Sequence, residues 1–169
     1  CGGDACDSFD RNSGESTVSV APKIFMNPKK IRGIVVPLVT PLTADERLDL
    51  DGLASLVEHV VTGGVHGIFI LGTTGEGPNL SYAVRRDLIR ESARLVGDRV
   101  PLYVGVTDTA VEESVQLGRL AADVGADAAV FAPPYYFPLE GADLFHYTEA
   151  MVRSLPLPSI LYNIPSMTK

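Results

Sequence analysis

The chain has 169 residues, 46 % of them hydrophobic and 21 % charged, which provides for a buried core and excludes a wholly disordered polymer. With 14 Lys plus Arg against 21 Asp plus Glu, the formal charge is −7, and Lys29-Lys30-Ile31-Arg32 is the one basic cluster, so nucleic acid is a poor partner. No apolar run approaches the ~18–20 residues of a membrane span. The two cysteines (Cys1, Cys6) make no disulfide scaffold and the three histidines (His59, His66, His146) lack metal-ligand spacing, so neither membrane nor metal is expected.

Residues 1–20 are rich in Gly, Asp, Ser and Asn, show no periodicity and read as a disordered tail. Met26 near a natural start makes residues 1–30 an extension outside the fold and residues 31–169 the folded unit. A lipid anchor on Cys1 is the alternative to a cytoplasmic chain, and no signal peptide in the sequence supports it.

From residue 33 the pattern becomes regular. Gly33-Ile34-Val35-Val36-Pro37-Leu38-Val39 is a continuous apolar run, as expected of a strand buried on both faces. Leu50, Leu53, Leu56, Val57, Val60 and Val61 then fall three and four apart, one stripe of a helix that Gly63-Gly64 ends. Residues 67–71 form the second strand. Ser81 caps a helix burying Val84, Leu88, Ile89, Leu95 and Val96; Val84 at N3 leaves it without a capping box. A third strand at 101–106 precedes a helix over 110–124 with Val111, Val115, Leu120 and Val124 inward. Residues 128–132 make a fourth strand, Asp143 caps a helix carrying Leu144, Met151, Val152 and Leu155, and residues 159–162 make a fifth strand.

Strand starts near 33, 66, 101, 128 and 158 give a unit of about 31 residues, the unit length of a (β/α)8 TIM barrel of ~250 residues. The Gly-x-Gly-x-x-Gly turn of a doubly wound sheet is missing after the first strand. The expected fold is therefore an α/β barrel represented by its first five βα units, truncated after strand five.

Barrel sites lie at the C-terminal strand ends. Here those ends read Thr40, Thr73-Thr74, Thr107-Asp108, Tyr135-Tyr136 and Tyr162-Asn163, a set of hydroxyls suited to lining one pocket. In Gly72-Thr73-Thr74-Gly75-Glu76 the glycines let the backbone turn sharply, so that successive amides and two hydroxyls can meet a small carboxylate or a phosphate. The plainer reading is a simple turn with Glu76 exposed.

Gly72-Thr73-Thr74-Gly75-Glu76, Pro134-Tyr135-Tyr136 and Tyr162-Asn163-Ile164-Pro165, in the order of strands two, four and five, together with Pro37-Leu38-Val39-Thr40-Pro41 of the first strand, resemble the dihydrodipicolinate synthase / N-acetylneuraminate lyase family over about residues 31–169. The resemblance implies class I aldolase chemistry without a cofactor: a lysine forms a Schiff base with pyruvate, and the derived enamine attacks an aldehyde, or the reverse reaction cleaves a 2-keto acid. It implies that Thr73 and Thr74, with Gly72, bind the pyruvate carboxylate. Thr74, Tyr136 and Tyr162 would relay protons, with Tyr162 as the main acid/base and Tyr136 reaching into a neighbouring subunit of a homo-dimer or tetramer. A phenol of ordinary pKa ~10 needs such hydroxyl and cation partners to exchange protons at neutral pH.

Two departures qualify the resemblance. The Schiff-base lysine belongs one βα unit past Tyr162, whereas the lysines here are Lys23, Lys29, Lys30 and the terminal Lys169, so the chain alone is expected to be inactive. Met167 stands where dihydrodipicolinate synthase proper carries an arginine for the second substrate's carboxylate, and a thioether cannot make those charge-assisted bonds. This favours a sugar-derived or apolar aldehyde over aspartate-semialdehyde. The alternatives are a true 4-hydroxy-tetrahydrodipicolinate synthase of lysine biosynthesis and a non-catalytic 2-keto-acid-binding module.

Overall fold

A computed structural model describes residues 31–164. The readings of residues 1–30, Cys1, Met167 and Lys169 lie outside the described residues.

Five β-strands alternate with four helices: β1 (Val35–Pro37), α1 (Leu50–Thr62), β2 (Gly67–Ile70), α2 (Tyr82–Val96), β3 (Leu102–Gly105), α3 (Val111–Asp123), β4 (Ala128–Phe131), α4 (Gly141–Ser154) and β5 (Ser159–Leu161). All neighbouring strands are parallel and their order is β1-β2-β3-β4-β5. A doubly wound sheet reverses direction at a switch point; here every crossover advances the same way, which is how a barrel is laid down. Right-handed crossovers then put the helices on one face, where α1 packs on α2, α2 on α3 and α3 on α4.

The period-2 alternation of the strands divides the apolar residues between two faces. Ile68, Ile70, Leu102, Val104, Ala129 and Phe131 point to the helices and join Leu53, Val57, Leu88, Ile89, Leu117 and Met151 in the main core. The opposite face carries Tyr103, Ala128 and Val130, with Val35, Phe69 and Ile160 packed on them. Large and small residues adjoin there, since a Cβ on Gly67 would approach the Tyr103 ring to 2.8 Å. At this point the sheet requires a glycine.

Asp49 and Ser81 cap α1 and α2, accepting from the Gly52 and Val84 N–H groups, the latter as the sequence predicts. The expected α3 differs from the observed one by a residue at each end. Asp143 is not a cap. Glu140 occupies the N-cap of α4 without a side-chain bond, and Asp143 sits in the first turn, where its charge complements the helix dipole. Val111 and Val152, expected inward, are exposed. The buried stripe of α3 runs instead through Ser114, Val115, Leu117, Gly118 and Ala121, and that of α4 through Tyr147 and Met151. Leu120 and Val124 are partly buried against the core, as is Leu95 of α2. Leu50 starts α1 on the solvent side.

The first strand departs most from expectation. Only Val35–Pro37 is strand, its residues are half-buried or exposed, and Ile34 and Val39 lie in solvent, because among the described residues β1 is an edge with one partner. Two local features carried no recognised signal: a Leu42–Leu48 antiparallel bridge and a 3₁₀ turn at Gly77–Asn79. Among the described residues, no helix is long and apolar enough to cross a membrane.

Candidate active site

The site is built from the turn that leaves β2. Leu71 takes a left-handed conformation (φ 59°), an uncommon one for a branched residue, and Glu76 takes another (φ 53°). Between them the chain folds back over the strand ends. Its backbone bonds run from the Glu76 N–H to the Thr73 C=O (3.1 Å) and from the Gly77 N–H to the Gly72 C=O (3.2 Å). Neither bond uses the Thr73 or Thr74 N–H. A Cβ on Gly77 or on Gly105 of β3 would run into the Leu71 carbonyl oxygen, so two glycines make room for the unusual turn. The Thr40 hydroxyl after β1 donates to the Gly75 C=O at 2.7 Å and ties the turn down from the other side.

β3, β4 and β5 complete the enclosure. The Thr107 hydroxyl accepts from the Ala132 N–H (2.9 Å), pinning the exits of β3 and β4 together. The Tyr162 N–H donates to the Phe131 C=O (2.7 Å), and its ring meets Phe69 of β2 edge-on at 6.3 Å. These segments surround a cavity of about 300 Å³ lined by Gly72, Thr73, Thr107, Tyr135 and Tyr162, with Glu76, Asn79 and an apolar floor of Phe69, Leu71 and Val130. That volume suits a small molecule.

Four of the five strand exits named from sequence therefore contribute to one cavity: Gly72 and Thr73, Thr107, Tyr135, and Tyr162. Thr40 braces the turn instead. Thr74 is exposed and does not line the cavity; Thr73, also exposed, does. Tyr136 also lies outside it, 84 % exposed, with left-handed backbone (φ 81°) and its ring edge-on to the exposed Phe137. Glu76 is exposed, as in the plain-turn reading, and still reaches the cavity wall.

Asp108 does not point into the cavity. It pairs with Arg85 of α2 at 2.7 Å, side chains 2 % and 6 % exposed, and accepts from the Tyr82 hydroxyl (3.2 Å) and the Ala110 N–H (3.1 Å). Burial pushes the Asp108 carboxyl up, but the Ala110 N–H, the Arg85 guanidinium and the Tyr82 hydroxyl outweigh it and hold the group below the usual carboxylate range. Burial likewise raises Tyr147, to about 12, with the Asp108 charge adding to it; its hydroxyl donates to the Ala132 C=O (3.3 Å). Sequence reasoning missed the Arg85–Asp108 pair. Its signal was present: Arg85, Leu88, Ile89, Ser92 and Val96 form a single helical stripe, which puts an arginine in the buried row.

The model of the Dihydrodipicolinate synthetase family matches residues 30–169. The chain belongs to that family. A 4-hydroxy-tetrahydrodipicolinate synthase of Herminiimonas arsenicoxydans is 38 % identical over 138 residues, covering 82 % of this chain and 47 % of the relative. The solved dihydrodipicolinate synthase of Bacteroides thetaiotaomicron superposes with a TM-score of 0.77 at 50 % identity, over 81 % of this chain and 46 % of that one. YagE of Escherichia coli K12, solved in complex with pyruvate, gives a TM-score of 0.77 at 38 % identity, over 80 % of this chain and 46 % of its own. The chain spans about half the length of the curated relatives it matches, and its fold is the corresponding part of their barrel.

Proposed function

We propose that residues 31–169 supply the carboxylate-binding and proton-transfer part of a pyruvate-dependent lyase or synthase. The observation that most supports this is the shared cavity, in which the Gly72-Thr73 turn from β2 and the Tyr162 phenol from β5 line one space. In this reading the Thr73 and Thr74 amides hold the substrate carboxylate. A lysine on the strand after β5 adds its amine to the keto carbon, and the keto oxygen leaves as water to give the imine. Loss of a methyl proton makes the enamine, whose carbon attacks an aldehyde carbonyl while the aldehyde oxygen takes up a proton. Tyr162 passes these protons with a threonine of the turn, Thr74 by the motif, next to Thr73, which lines the cavity. Tyr136, exposed and outside its own cavity, suits the neighbouring subunit's site in a homo-oligomer. A cytoplasmic location goes with this chemistry.

The partner aldehyde is proposed to be sugar-derived or apolar, on the strength of Met167. The second reading, a true 4-hydroxy-tetrahydrodipicolinate synthase, is favoured by the name of the Herminiimonas relative. Met167→Arg in the full-length protein separates them. Gaining a charge-assisted pair of ~1.5–3 kcal/mol should improve condensation with aspartate-semialdehyde about tenfold or more. Good native activity on that aldehyde, unchanged by the arginine, would favour the second reading.

Borohydride reduction in the presence of pyruvate tests the shared chemistry. The full-length protein should be trapped irreversibly, with the label on a lysine of the strand after β5, and the 169-residue chain should not. Labelling of the short chain at one specific residue would show that the nucleophile lies elsewhere, and an unlabelled full-length protein would leave the binding-module reading.

A further inference from the structure

Arg85 spends all three guanidinium nitrogens on two separate segments. Nε donates to the Leu80 C=O (3.1 Å), Nη2 to the Pro78 C=O (3.1 Å) and Nη1 to the Asp108 carboxylate (2.7 Å). Pro78 lies on the cavity wall, and Asp108 directly follows Thr107, which lies on the same wall at the exit of the neighbouring strand β3. The far end of the turn is linked to its front: the Asn79 N–H donates to the Glu76 C=O (2.8 Å), and the Gly77 N–H to the Gly72 C=O.

A buried ion pair is weak evidence of stabilisation, since apolar side chains of similar volume often serve the packing as well. What they cannot supply is a planar fork that fixes three acceptors at once. The turn it holds contains two residues in left-handed backbone, Leu71 and Glu76, and such a conformation persists only where its surroundings over-determine it. We infer that the Arg85–Asp108 pair is a positioning clamp for the substrate carboxylate: it holds the segment after the Gly72-Thr73 turn at a fixed distance from the Thr107 exit, so that the turn's amides converge on one anion. The inference rests on the function proposed above. Neither residue is a catalytic residue; both act through the turn.

The test is steady-state kinetics of the full-length protein and its Arg85→Lys variant, which keeps the cation and loses the fork. The clamp predicts that half-saturation by pyruvate rises about tenfold, equivalent to ~1.4 kcal/mol, while the turnover number changes much less and borohydride still traps the enzyme at saturating pyruvate. An unchanged half-saturation with a lowered thermal midpoint overturns it, because the pair would then be merely structural. Should Arg85→Lys fail to fold, Tyr82→Phe removes a hydroxyl from Asp108 at the solvent side and leaves the fork intact. A smaller rise in half-saturation supports the clamp there, and none contradicts it. A wild-type protein that pyruvate and borohydride do not label overturns the parent reading, and the clamp with it; normal wild-type labelling beside an unaffected Arg85→Lys overturns the clamp alone.

Discussion

Phe69 has two neighbours that bear on the site: its ring stands edge-on to Tyr162, and it fills the space that a Cβ on Gly72 would need, 2.5 Å from the nearest ring atom. Gly72→Ala must therefore displace the ring or the turn, an overpacking that typically costs ~1–3 kcal/mol. In the full-length protein it should slow pyruvate trapping at least tenfold, measured by borohydride labelling against time; a rate equal to wild type would mean that the turn tolerates the shift. Asp108 gives a pH prediction. Its folded carboxyl titrates below its ordinary value of 3.8, so its contribution to stability is present above that value and is lost as pH falls through the lower, folded one. Denaturant midpoints between pH 5 and pH 2 should fall less steeply in Asp108→Asn than in wild type, and parallel curves would refute the assignment. That Thr73 and Tyr162 line one cavity was legible in the sequence, because a motif and a strand end fixed their place. The Arg85–Asp108 pair was not, since the two residues lie 23 apart on different elements and no local pattern couples them. Nor does any propensity announce that Leu71, a branched residue, takes the left-handed turn.

At the level of single elements, hydrophobic spacing located the five strands and four α-helices of the described residues, because buried faces recur at 3.6 and 2 residues. It was least reliable at ends and on faces. Val111 and Val152 satisfy the helical period, yet they fall where no neighbouring element covers them. Edge position does the same to β1: its composition is that of a buried strand, and only the sheet order reveals that one side has no partner among the described residues. Ser92 of α2 and Ser114 of α3 are fully buried with hydroxyls that find no hydrogen-bond partner among the described residues. An unmet buried hydroxyl costs ~1–3 kcal/mol, and alanine is also the better helix former. Ser92→Ala and Ser114→Ala should each raise the unfolding free energy of the full-length protein by about 0.5–1.5 kcal/mol, read from urea denaturation. A loss of stability in both would mean that the hydroxyls have partners.

Over the whole molecule, one-way strand order and one-sided helices leave the face around Phe69, Tyr103 and Val130 as a half-lined barrel interior. Ile34, Val39 and Leu161 at the two sheet edges are exposed apolar residues beside strand backbone that has no partner strand among the described residues, which templates association. At ~25 cal/mol per Å² of uncovered apolar surface, a few hundred Å² offset much of a typical ~5–15 kcal/mol stability. The 169-residue chain expressed by itself should accordingly aggregate or lack a cooperative thermal transition; a monodisperse 18.0 kDa species with a sharp transition would refute this. In the function proposed here the β2 turn and Tyr162 serve one bound 2-keto acid. A crystal structure of the full-length protein soaked with pyruvate tests it most directly. Carboxylate oxygens should lie within hydrogen-bonding distance of the Thr73 and Thr74 amides, with the Tyr162 hydroxyl beside the imine carbon. Pyruvate bound away from that turn, or Tyr162 facing another space, would contradict it.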